Sequence, residues 1–329
     1  MLPPGGLREI GLCSAWGGSV RCLAGCLALS AVGYSVMMRV GDCRRFYAEE
    51  VRFAANLHSP SLIEAFARVP RERYLGPPPW QIGSADQAAL AFSGLVSPSS
   101  ITTEDPRDLY HNVAVVLDAA RNINNGQPSA LARWIDALDL KTGERLYHLG
   151  CGVGYYTAIM AEVVGPRGSV VGSEVNHELA VRARENLSGY PQVSVHSGDG
   201  AAFDPGPCDA MLINAGVTHP HPLWLERLRE GGRLVLPLTK AATPTSGVGI
   251  MAKITRQGGA FAAEVVSHVA ICSCTSVRDP QLEASIGKIF ASRGLLNLKS
   301  VRLDSHQPAD NCVVHASGIC LSAAEPPAT

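Results

Sequence analysis

Aromatic residues are scarce in this chain of 329 residues, at 6%. The chain also has no excess of either charge, since 28 Lys and Arg against 29 Asp and Glu leave a net charge of −1. A neutral chain lacks the basic surface that binds a phosphate backbone, and few aromatics leave little for bases to stack on. These absences exclude nucleic acid as the expected partner. The 46% of hydrophobic residues also excludes a disordered chain and suffices for a sizeable core.

Paired cysteine motifs are missing as well. The ten cysteines include no Cys-x-x-Cys pair, and Cys272 and Cys274 are the only close couple in the sequence. Zinc sites usually draw their ligands from paired clusters, so we predict no metal site. An unpatterned set of thiols is typical of a reducing compartment, which favours a cytoplasmic location.

A long hydrophobic run occurs only near the start. Residues 22–38 carry no charge and lie between Arg21 and Arg39. At 17 residues the run is at the lower limit for a transmembrane helix, and it contains two glycines and two serines. Three interpretations of residues 1–43 stay open: sequence upstream of a true start near Met37, a membrane anchor or export signal, or a folded extension. A membrane is expected as a partner only if the run is a real anchor.

The hydrophobic pattern of the sequence changes twice after this segment. Residues 44–138 show helical patterning and are assigned to the substrate side, although 80–110 is irregular, rich in Ser and Ala, and could form a loop or lid. Residues 139–245 alternate short apolar runs with helical segments, the pattern of a doubly wound parallel sheet. Residues 246–329 begin with two apolar runs around a Gly-Gly pair, which predicts a hairpin followed by an extension.

The predicted fold class is therefore α/β. We expect a doubly wound, mostly parallel, Rossmann-like sheet of about seven strands, with an N-terminal helical part and a small C-terminal β/α extension. Open sheets of this kind bind ligands beyond the carboxyl ends of their strands. The ligand-binding core is accordingly expected within residues 139–245.

A glycine-rich turn lies between the first predicted strand of this core and the helix that follows. Its glycines at alternate positions, Gly150, Gly152 and Gly154, let the backbone turn sharply and approach a ligand closely. The dinucleotide fingerprint places its third glycine one residue later. The turn is therefore not the usual NAD-binding motif.

Polar residues follow the next three strands. Glu174 ends the second strand, a position where an acid accepts both hydroxyls of a ribose. Asp199 and Gly200 follow the third strand, where a carboxylate can accept from an adenine amino group, and Asn214 follows the fourth. Because parallel strands end at the same edge of the sheet, these residues are expected to lie together with the glycine-rich turn.

The set resembles the class I S-adenosylmethionine-dependent methyltransferases, and in particular the protein-L-isoaspartate O-methyltransferase family. The segments that carry the likeness are Arg68–Leu75, Gly165–Glu174, Ser197–Gly200 and Leu228–Pro237. The resemblance implies S-adenosyl-L-methionine as cofactor. The glycine-rich turn would contact its methionine part, Glu174 would bind the ribose and Asp199 would lie beside the adenine. The implied cofactor-binding residues are Gly150, Cys151, Gly152, Gly154, Glu174, Asp199, Gly200 and Asn214.

The resemblance breaks at the substrate motif. The family carries Thr-Ile-Ser-Gln-Pro before its first glycine-rich strand, with the Ser linked to the substrate. Here the run over residues 124–129 is Asn-Asn-Gly-Gln-Pro-Ser, and Gly126 stands where the Ser is expected. Ser129 could take part in substrate binding or could be a helix cap. The implied substrate-binding residues are Gly126, Gln127, Pro128 and Ser129.

Two histidines follow the fourth strand, at the edge where a methyl acceptor should lie. His219 or His221 could act as a base or orient the acceptor, or both could simply shape a loop before the next helix. A carboxylate acceptor needs no base near neutral pH, because its ordinary pKa is about 4, whereas a hydroxyl or amine acceptor often does.

The expected function is an S-adenosylmethionine-dependent O-methyltransferase that transfers methyl to a carboxylate of a protein or peptide, as in protein-L-isoaspartate repair. Gly126 and the histidine pair favour an alternative, a small-molecule or peptide-tailoring methyltransferase with a different acceptor. A third hypothesis is a non-catalytic module that keeps the cofactor fold for binding. The intact glycine-rich turn, Glu174 and Asp199 argue against it. The oligomeric state stays open.

Overall fold

The computed structural model describes residues 38–84, 100–292, 294–316 and 318–326. The segment of doubtful status at the start, with its apolar run, lies outside these ranges up to residue 37. Within them, no helix is both long enough and apolar enough to cross a membrane.

The described helices follow the sequence pattern closely. The first begins at Val40, inside the segment that ends at residue 43 by sequence. Ser59 caps the second by accepting a hydrogen bond from the Leu62 N–H, as its place before Pro60 indicates. The helices are α1 (Val40–Ala55), α2 (Pro60–Arg68), α3 (Pro128–Ala137), α4 (Tyr155–Val164), α5 (His177–Asn186), α6 (Pro222–Arg227) and α7 (Pro280–Ala291), with 3-10 turns at Arg71–Tyr74, Pro106–Leu109 and Gly294–Asn297.

The N-terminal region contains a small antiparallel sheet besides its helices. Its strands are β1 (Trp80–Ser84), β2 (Ser100–Thr103), β3 (Val113–Asp118) and β4 (Ile123–Asn124), in the order β2-β1-β3-β4. The prediction of irregular structure over 80–110 is thus wrong at residues 80–84 and 100–103, and the middle of the proposed loop or lid, residues 85–99, lies outside the described residues. Ile82 pairs with Ile101 on one side and with Val115 on the other. Such non-local pairing leaves no periodic signal in a short polar segment.

The main sheet has ten strands in the described residues, rather than about seven. They are β5 (Arg145–Leu149), β6 (Ser169–Glu174), β7 (Val193–Ser197), β8 (Cys208–Ile213), β9 (Leu228–Thr243), β10 (Ser246–Gln257), β11 (Ala260–Cys272), β12 (Ser300–Arg302), β13 (Cys312–Ala316) and β14 (Ile319–Ser322). Their order is β13-β14-β12-β11-β10-β9-β8-β5-β6-β7. The pairs from β7 to β9 are parallel, and those from β9 to β13 are antiparallel.

The difference in strand number arises in the C-terminal extension. The hairpin predicted around Gly258 and Gly259 is confirmed as β10 and β11, and β10 pairs along most of β9. β12 then adds to β11, so the extension continues the core sheet instead of forming a separate layer. The domain boundaries drawn at residues 138 and 245 stay predictions.

Both faces of the sheet are covered, as a doubly wound fold requires. Leu146 belongs to a hydrophobic cluster with Ile159 of α4, whereas its neighbour Tyr147 belongs to a second cluster with Trp224 of α6. Successive residues of a strand point to opposite faces, so these two clusters lie on the two sides of β5. From β5 the chain runs to β6 and β7 and then crosses to β8, which puts the topological switch point between β5 and β8.

Candidate functional site

The turn between β5 and α4 holds all three of its glycines in the left-handed region. Their φ angles are 75° at Gly150, 55° at Gly152 and 91° at Gly154. A Cβ at Gly150 would lie 3.0 Å from the Asn214 carbonyl oxygen, and one at Gly154 would lie 2.7 Å from Leu187 Cδ1. At Gly152 a Cβ would meet no atom within 4 Å. The outer glycines are therefore needed for packing, while the middle one faces open space that a ligand can enter.

Glu174, the last residue of β6, is brought to this turn. Its Oε2 accepts a hydrogen bond from the Gly152 N–H at 2.9 Å, and its Oε1 accepts one from the Asn176 N–H at 3.0 Å. The residue is 8% exposed. A carboxylate offers about four acceptor positions, so about two remain for hydroxyl donors. Glu174 is therefore both anchored and still able to bind a diol.

Asp199 follows β7 and is held from two sides. Its Oδ1 accepts hydrogen bonds from the Ala201 N–H and from the Ser276 hydroxyl, both at 2.9 Å. Ser276 comes from the loop between β11 and α7, which the sequence did not single out. The next residue, Gly200, is closely packed, since a Cβ there would lie 2.5 Å from the Tyr147 hydroxyl oxygen. These contacts fix Asp199 at the same edge as Glu174.

Asn214 joins β8 to the glycine-rich turn. Its N–H donates to the Leu149 carbonyl at 2.8 Å, and its side-chain Nδ2 donates to the Gly150 carbonyl at 3.3 Å. Cys151, within the turn, is buried, and burial raises the pKa of its thiol. A thiol that stays protonated is no nucleophile, so Cys151 contributes packing and its main chain to the site.

The two candidate histidines lie in the loop between β8 and α6. Nδ1 of His221 accepts the Leu223 N–H at 3.3 Å and so caps α6. Nδ1 of His219 is 2.9 Å from the Thr218 hydroxyl. Burial is the main cause that lowers the pKa of both imidazoles below 6.5. Both rings are therefore mostly neutral at pH 7, and the cap at His221 favours the interpretation that this residue shapes the loop.

The substrate motif is joined to the cofactor turn by one side chain. Gly126 has a φ of 78°, and its N–H donates to Asn124 Oδ1 at 2.8 Å. Its carbonyl accepts a hydrogen bond from the Tyr156 hydroxyl at 3.2 Å. Tyr156 lies in the first turn of α4, two residues after Gly154. The predicted substrate loop and the predicted cofactor loop are therefore neighbours.

The remaining substrate candidates form the start of α3. Gln127 is the N-cap residue, and Pro128 is the first residue of the helix. The interpretation of Ser129 as a cap is wrong, because the residue before a proline is held extended and the helix begins at the proline itself. Ser129 instead donates its N–H to Asn112 Oδ1 at 2.9 Å. Asn112 precedes β3, so the substrate loop is held in part by the small sheet.

Arg71 supports the same loop, and sequence reasoning gave it no individual role. Its side chain is fully buried. Nη1 donates to the carbonyls of Leu109 at 2.5 Å and His111 at 3.2 Å. Nη2 donates to the Val113 carbonyl at 2.6 Å and to Asn125 Oδ1 at 3.4 Å. One guanidinium thus connects the turn after α2, the approach to β3 and the residue before Gly126.

Comparison with known proteins decides the family. Residues 98–278, more than half of the chain, match the family model for protein-L-isoaspartate(D-aspartate) O-methyltransferase. The chain belongs to this family. It is similar to protein-L-isoaspartate O-methyltransferase 1 of Archaeoglobus fulgidus, with 39% identity over 146 residues, which are 40% of this chain and 67% of that protein. Across the first three relatives the match spans 67%, 62% and 51% of their length.

Solved structures of the protein-L-isoaspartate O-methyltransferase family share the fold. One aligns with a TM-score of 0.56 at 20% sequence identity and covers 77% of this chain and 70% of its own. Another, from Plasmodium falciparum and in complex with S-adenosyl-L-homocysteine, aligns with a TM-score of 0.51 at 17% identity. The alignment covers 70% of this chain and 98% of that one. The predicted Rossmann-like methyltransferase fold and the predicted family are both confirmed.

Proposed function

We propose that this protein is an S-adenosylmethionine-dependent O-methyltransferase that methylates a carboxylate of a protein or peptide, and that isoaspartyl residues are its acceptors. The observation that carries the proposal is the hydrogen bond between the Gly152 N–H and Glu174 beside the switch point, at the sheet edge where Asp199 follows β7. Membership of the protein-L-isoaspartate O-methyltransferase family supports the choice of acceptor.

The residues at this edge fit S-adenosylmethionine. The open space at Gly152 would accommodate the methionine part of the cofactor, and Glu174 has acceptor positions left for the ribose hydroxyls. Both hydrogen bonds to Asp199 in the described residues use Oδ1, which leaves Oδ2 for an adenine amino group. The bound cofactor would supply an electrophilic methyl group on sulfur.

Positioning is the main task of the chain's own residues. Methyl transfer is an in-line displacement, so the acceptor oxygen has to be held opposite the sulfur. A carboxylate acceptor is already ionised at neutral pH, because its pKa is about 4, and it needs no general base. His219 and His221 are then not required as bases, and burial, which lowers the pKa of both imidazoles, makes them weaker proton acceptors.

The acceptor side is assigned to the loop from Gly126 to Ser129. Its link to α4 through Tyr156 puts it beside the cofactor turn. A glycine in place of the family's Ser leaves no hydroxyl at this position, so this loop would bind a peptide through main-chain groups. The same departure favours the second candidate, a small-molecule or peptide-tailoring methyltransferase with another acceptor.

The cellular setting proposed for this activity is the cytoplasm. None of the seven cysteines in the described residues forms a disulfide. Free thiols persist where glutathione and thioredoxin keep them reduced, which supports this location.

The deciding experiment measures transfer of labelled methyl from S-adenosylmethionine to an isoaspartyl peptide and to the matched aspartyl peptide. We expect base-labile methyl ester on the isoaspartyl peptide alone. The variant Glu174→Ala should give no label, while Glu178→Ala, an exposed change on α5, should label like the wild type. Protein that binds S-adenosylhomocysteine but labels neither peptide would contradict the isoaspartyl acceptor and favour the second candidate.

A further inference from the structure

Four side chains with metal-binding atoms converge in the C-terminal extension, away from the proposed active site. They are His306, Cys312, His315 and Cys320. One ligand atom from each lies within 4.8 Å of the other three. The cluster joins the loop before β13 to both strands of the β13–β14 hairpin. Its members are separated by 5, 2 and 4 residues, which is why a search for paired cysteines misses it.

One separation within the cluster matches that expected around a tetrahedral ion. Bonds from Zn²⁺ are about 2.3 Å to sulfur and about 2.0 Å to imidazole nitrogen, which puts a sulfur and a nitrogen of one tetrahedron about 3.5 Å apart. Sγ of Cys312 lies 3.6 Å from Nε2 of His306. Two thiols and two imidazoles are moreover the donor set of structural zinc sites.

The outer contacts of these ligands also match a metal site. Nδ1 of His306 donates to the Asp304 carbonyl at 3.0 Å. That bond fixes the tautomer and leaves the Nε2 lone pair facing Cys312, as in many metal-bound histidines. Sγ of Cys312 accepts the Ala309 N–H at 3.3 Å, a contact that stabilises a thiolate.

An unpartnered nitrogen points to the same conclusion. Nδ1 of His315 is buried and has no hydrogen-bond partner in the described residues. A buried polar atom without a partner is costly, and a metal ion would satisfy it. The ring of His315 lies 4.7 Å from that of His306, measured between centroids, so both imidazoles face one small volume.

The elements around the cluster are short. β12, β13 and β14 contain 3, 5 and 4 residues, and the loop between β12 and β13 has no helix or strand. The buried apolar residues of this unit that belong to the core are few: Leu295, Leu298, Val301, Val314 and Leu321. The loop over residues 303–311, which carries His306, contributes none of them, so a metal ion would hold this loop to the hairpin.

We propose that His306, Cys312, His315 and Cys320 bind one Zn²⁺ ion as a structural site that ties the β12–β13 loop to the β13–β14 hairpin. Four protein ligands leave no open position for a substrate, which distinguishes this site from a catalytic one. Binding replaces the two thiol protons, which pass to solvent, and involves no change of oxidation state. The proposal departs from the sequence-based expectation of no metal site.

Metal analysis of the full chain tests this directly. Protein purified without chelator should contain one zinc per chain. Protein stripped of metal should bind one ion per chain when either Zn²⁺ or Co²⁺ is added. The Co²⁺ form should show the intense visible bands of tetrahedral cobalt and a thiolate charge-transfer band. Cys312→Ser and His315→Ala should weaken Zn²⁺ binding by about 100-fold or more in competition with a chromogenic chelator, because even outer contacts cost about 10–100-fold.

Cys43→Ser is the matched control, because Cys43 lies on α1 and belongs to no such cluster in the described part of the chain. It should bind Zn²⁺ like the wild type. S-adenosylhomocysteine binding and circular dichroism show that each variant is folded. Hydrogen exchange should rise in residues 300–322 when the metal is removed and stay unchanged in β5 and β8.

Three results overturn the proposal: no uptake of Zn²⁺ or Co²⁺ by the folded wild type, equal zinc affinity in Cys312→Ser, or a Cys312–Cys320 disulfide in protein kept under reducing conditions. Unchanged hydrogen exchange on metal removal would contradict the structural role.

Discussion

The cofactor edge and the substrate loop meet at Tyr156 but are built in opposite ways. At the cofactor edge, Glu174 bonds main-chain N–H groups at the ends of neighbouring elements. The substrate loop depends on side chains from distant parts of the chain: Arg71 reaches Asn125, 54 residues on, and Asn112 reaches Ser129, 17 residues on. Sheet topology therefore positions most of the first region, with Ser276 as a distant support of Asp199, whereas the second can change without disturbing the first.

Among the variants that test whether the two regions are independent, Arg71→Ala should have the largest effect. Three carbonyls, of Leu109, His111 and Val113, would lose a buried donor at about 1–3 kcal/mol each, so the free energy of unfolding should fall by about 3 kcal/mol or more. Urea denaturation measures this. The control Arg73→Ala, an exposed change on the same 3-10 turn, should cost little. A comparable loss of cofactor affinity in folded Arg71→Ala would show that the two regions are not independent.

Glu174→Ala should act on the other region. It removes the acceptors for two ribose hydroxyls, each bond to a charged group being worth about 1.5 kcal/mol or more, which predicts a loss of about 100-fold or more in S-adenosylhomocysteine affinity. Isothermal calorimetry measures the affinity, with Glu178→Ala as the exposed control on α5. Unchanged affinity would refute the assignment of the cofactor site.

Lowering the pH should reduce the stability of the folded protein through His148. This residue of β5 is fully buried, and burial lowers its pKa to about 3. An unfolded histidine titrates near 6.5, so the unfolded state binds more protons between about pH 6.5 and 3, and stability falls as the pH falls through that window. From pH 7 to pH 5 the loss from this residue is about 2 kcal/mol.

Urea denaturation at pH 7 and at pH 5 tests the role of His148. The variant His148→Leu should lose less stability than the wild type over this interval, whereas His177→Ala, an exposed change on α5, should behave like the wild type. Equal pH dependence in His148→Leu and the wild type would locate the acid sensitivity elsewhere.

The smallest effect is expected from Gly126→Ser, which restores the family's residue. At a φ of 78° a serine costs about 1–2 kcal/mol, and its Cβ would lie 2.7 Å from Leu131 Cδ2. Thermal unfolding should show this loss, with less for Gly126→Asn, because asparagine tolerates the left-handed region. Cofactor affinity should not change. A gain in isoaspartyl methylation without loss of stability would mean that the loop accepts the serine unstrained.

The fold was predictable where structure is local. β5, α4 and α7 lie where apolar periodicity and turn residues place them, because each element is specified by its own residues. The strands β1, β2 and β12 were not individually predictable. Each is short and polar on one face, and each is stabilised by a partner strand that the sequence does not mark.

The candidate site divides in the same manner. Gly152, Glu174 and Asp199 were identifiable because each lies at or just after the carboxyl end of a strand of a predicted parallel sheet. Ser276, which holds Asp199, was not, since it lies 77 residues away in the sequence and carries no motif. The cap formed by His221 was equally hidden, because a histidine in a loop is as compatible with catalysis as with capping.

The sequence by itself determined the alternation of strands and helices, the glycine-rich turn and the acid that ends β6, because periodicity and backbone conformation are properties of neighbouring residues. Only the tertiary structure decided that Arg71 supports the substrate loop and that His306, Cys312, His315 and Cys320 share one small volume. Those contacts follow from how β3 and β14 pair with other strands. Pairing partners are selected by the packing of the whole domain, which no local spacing encodes.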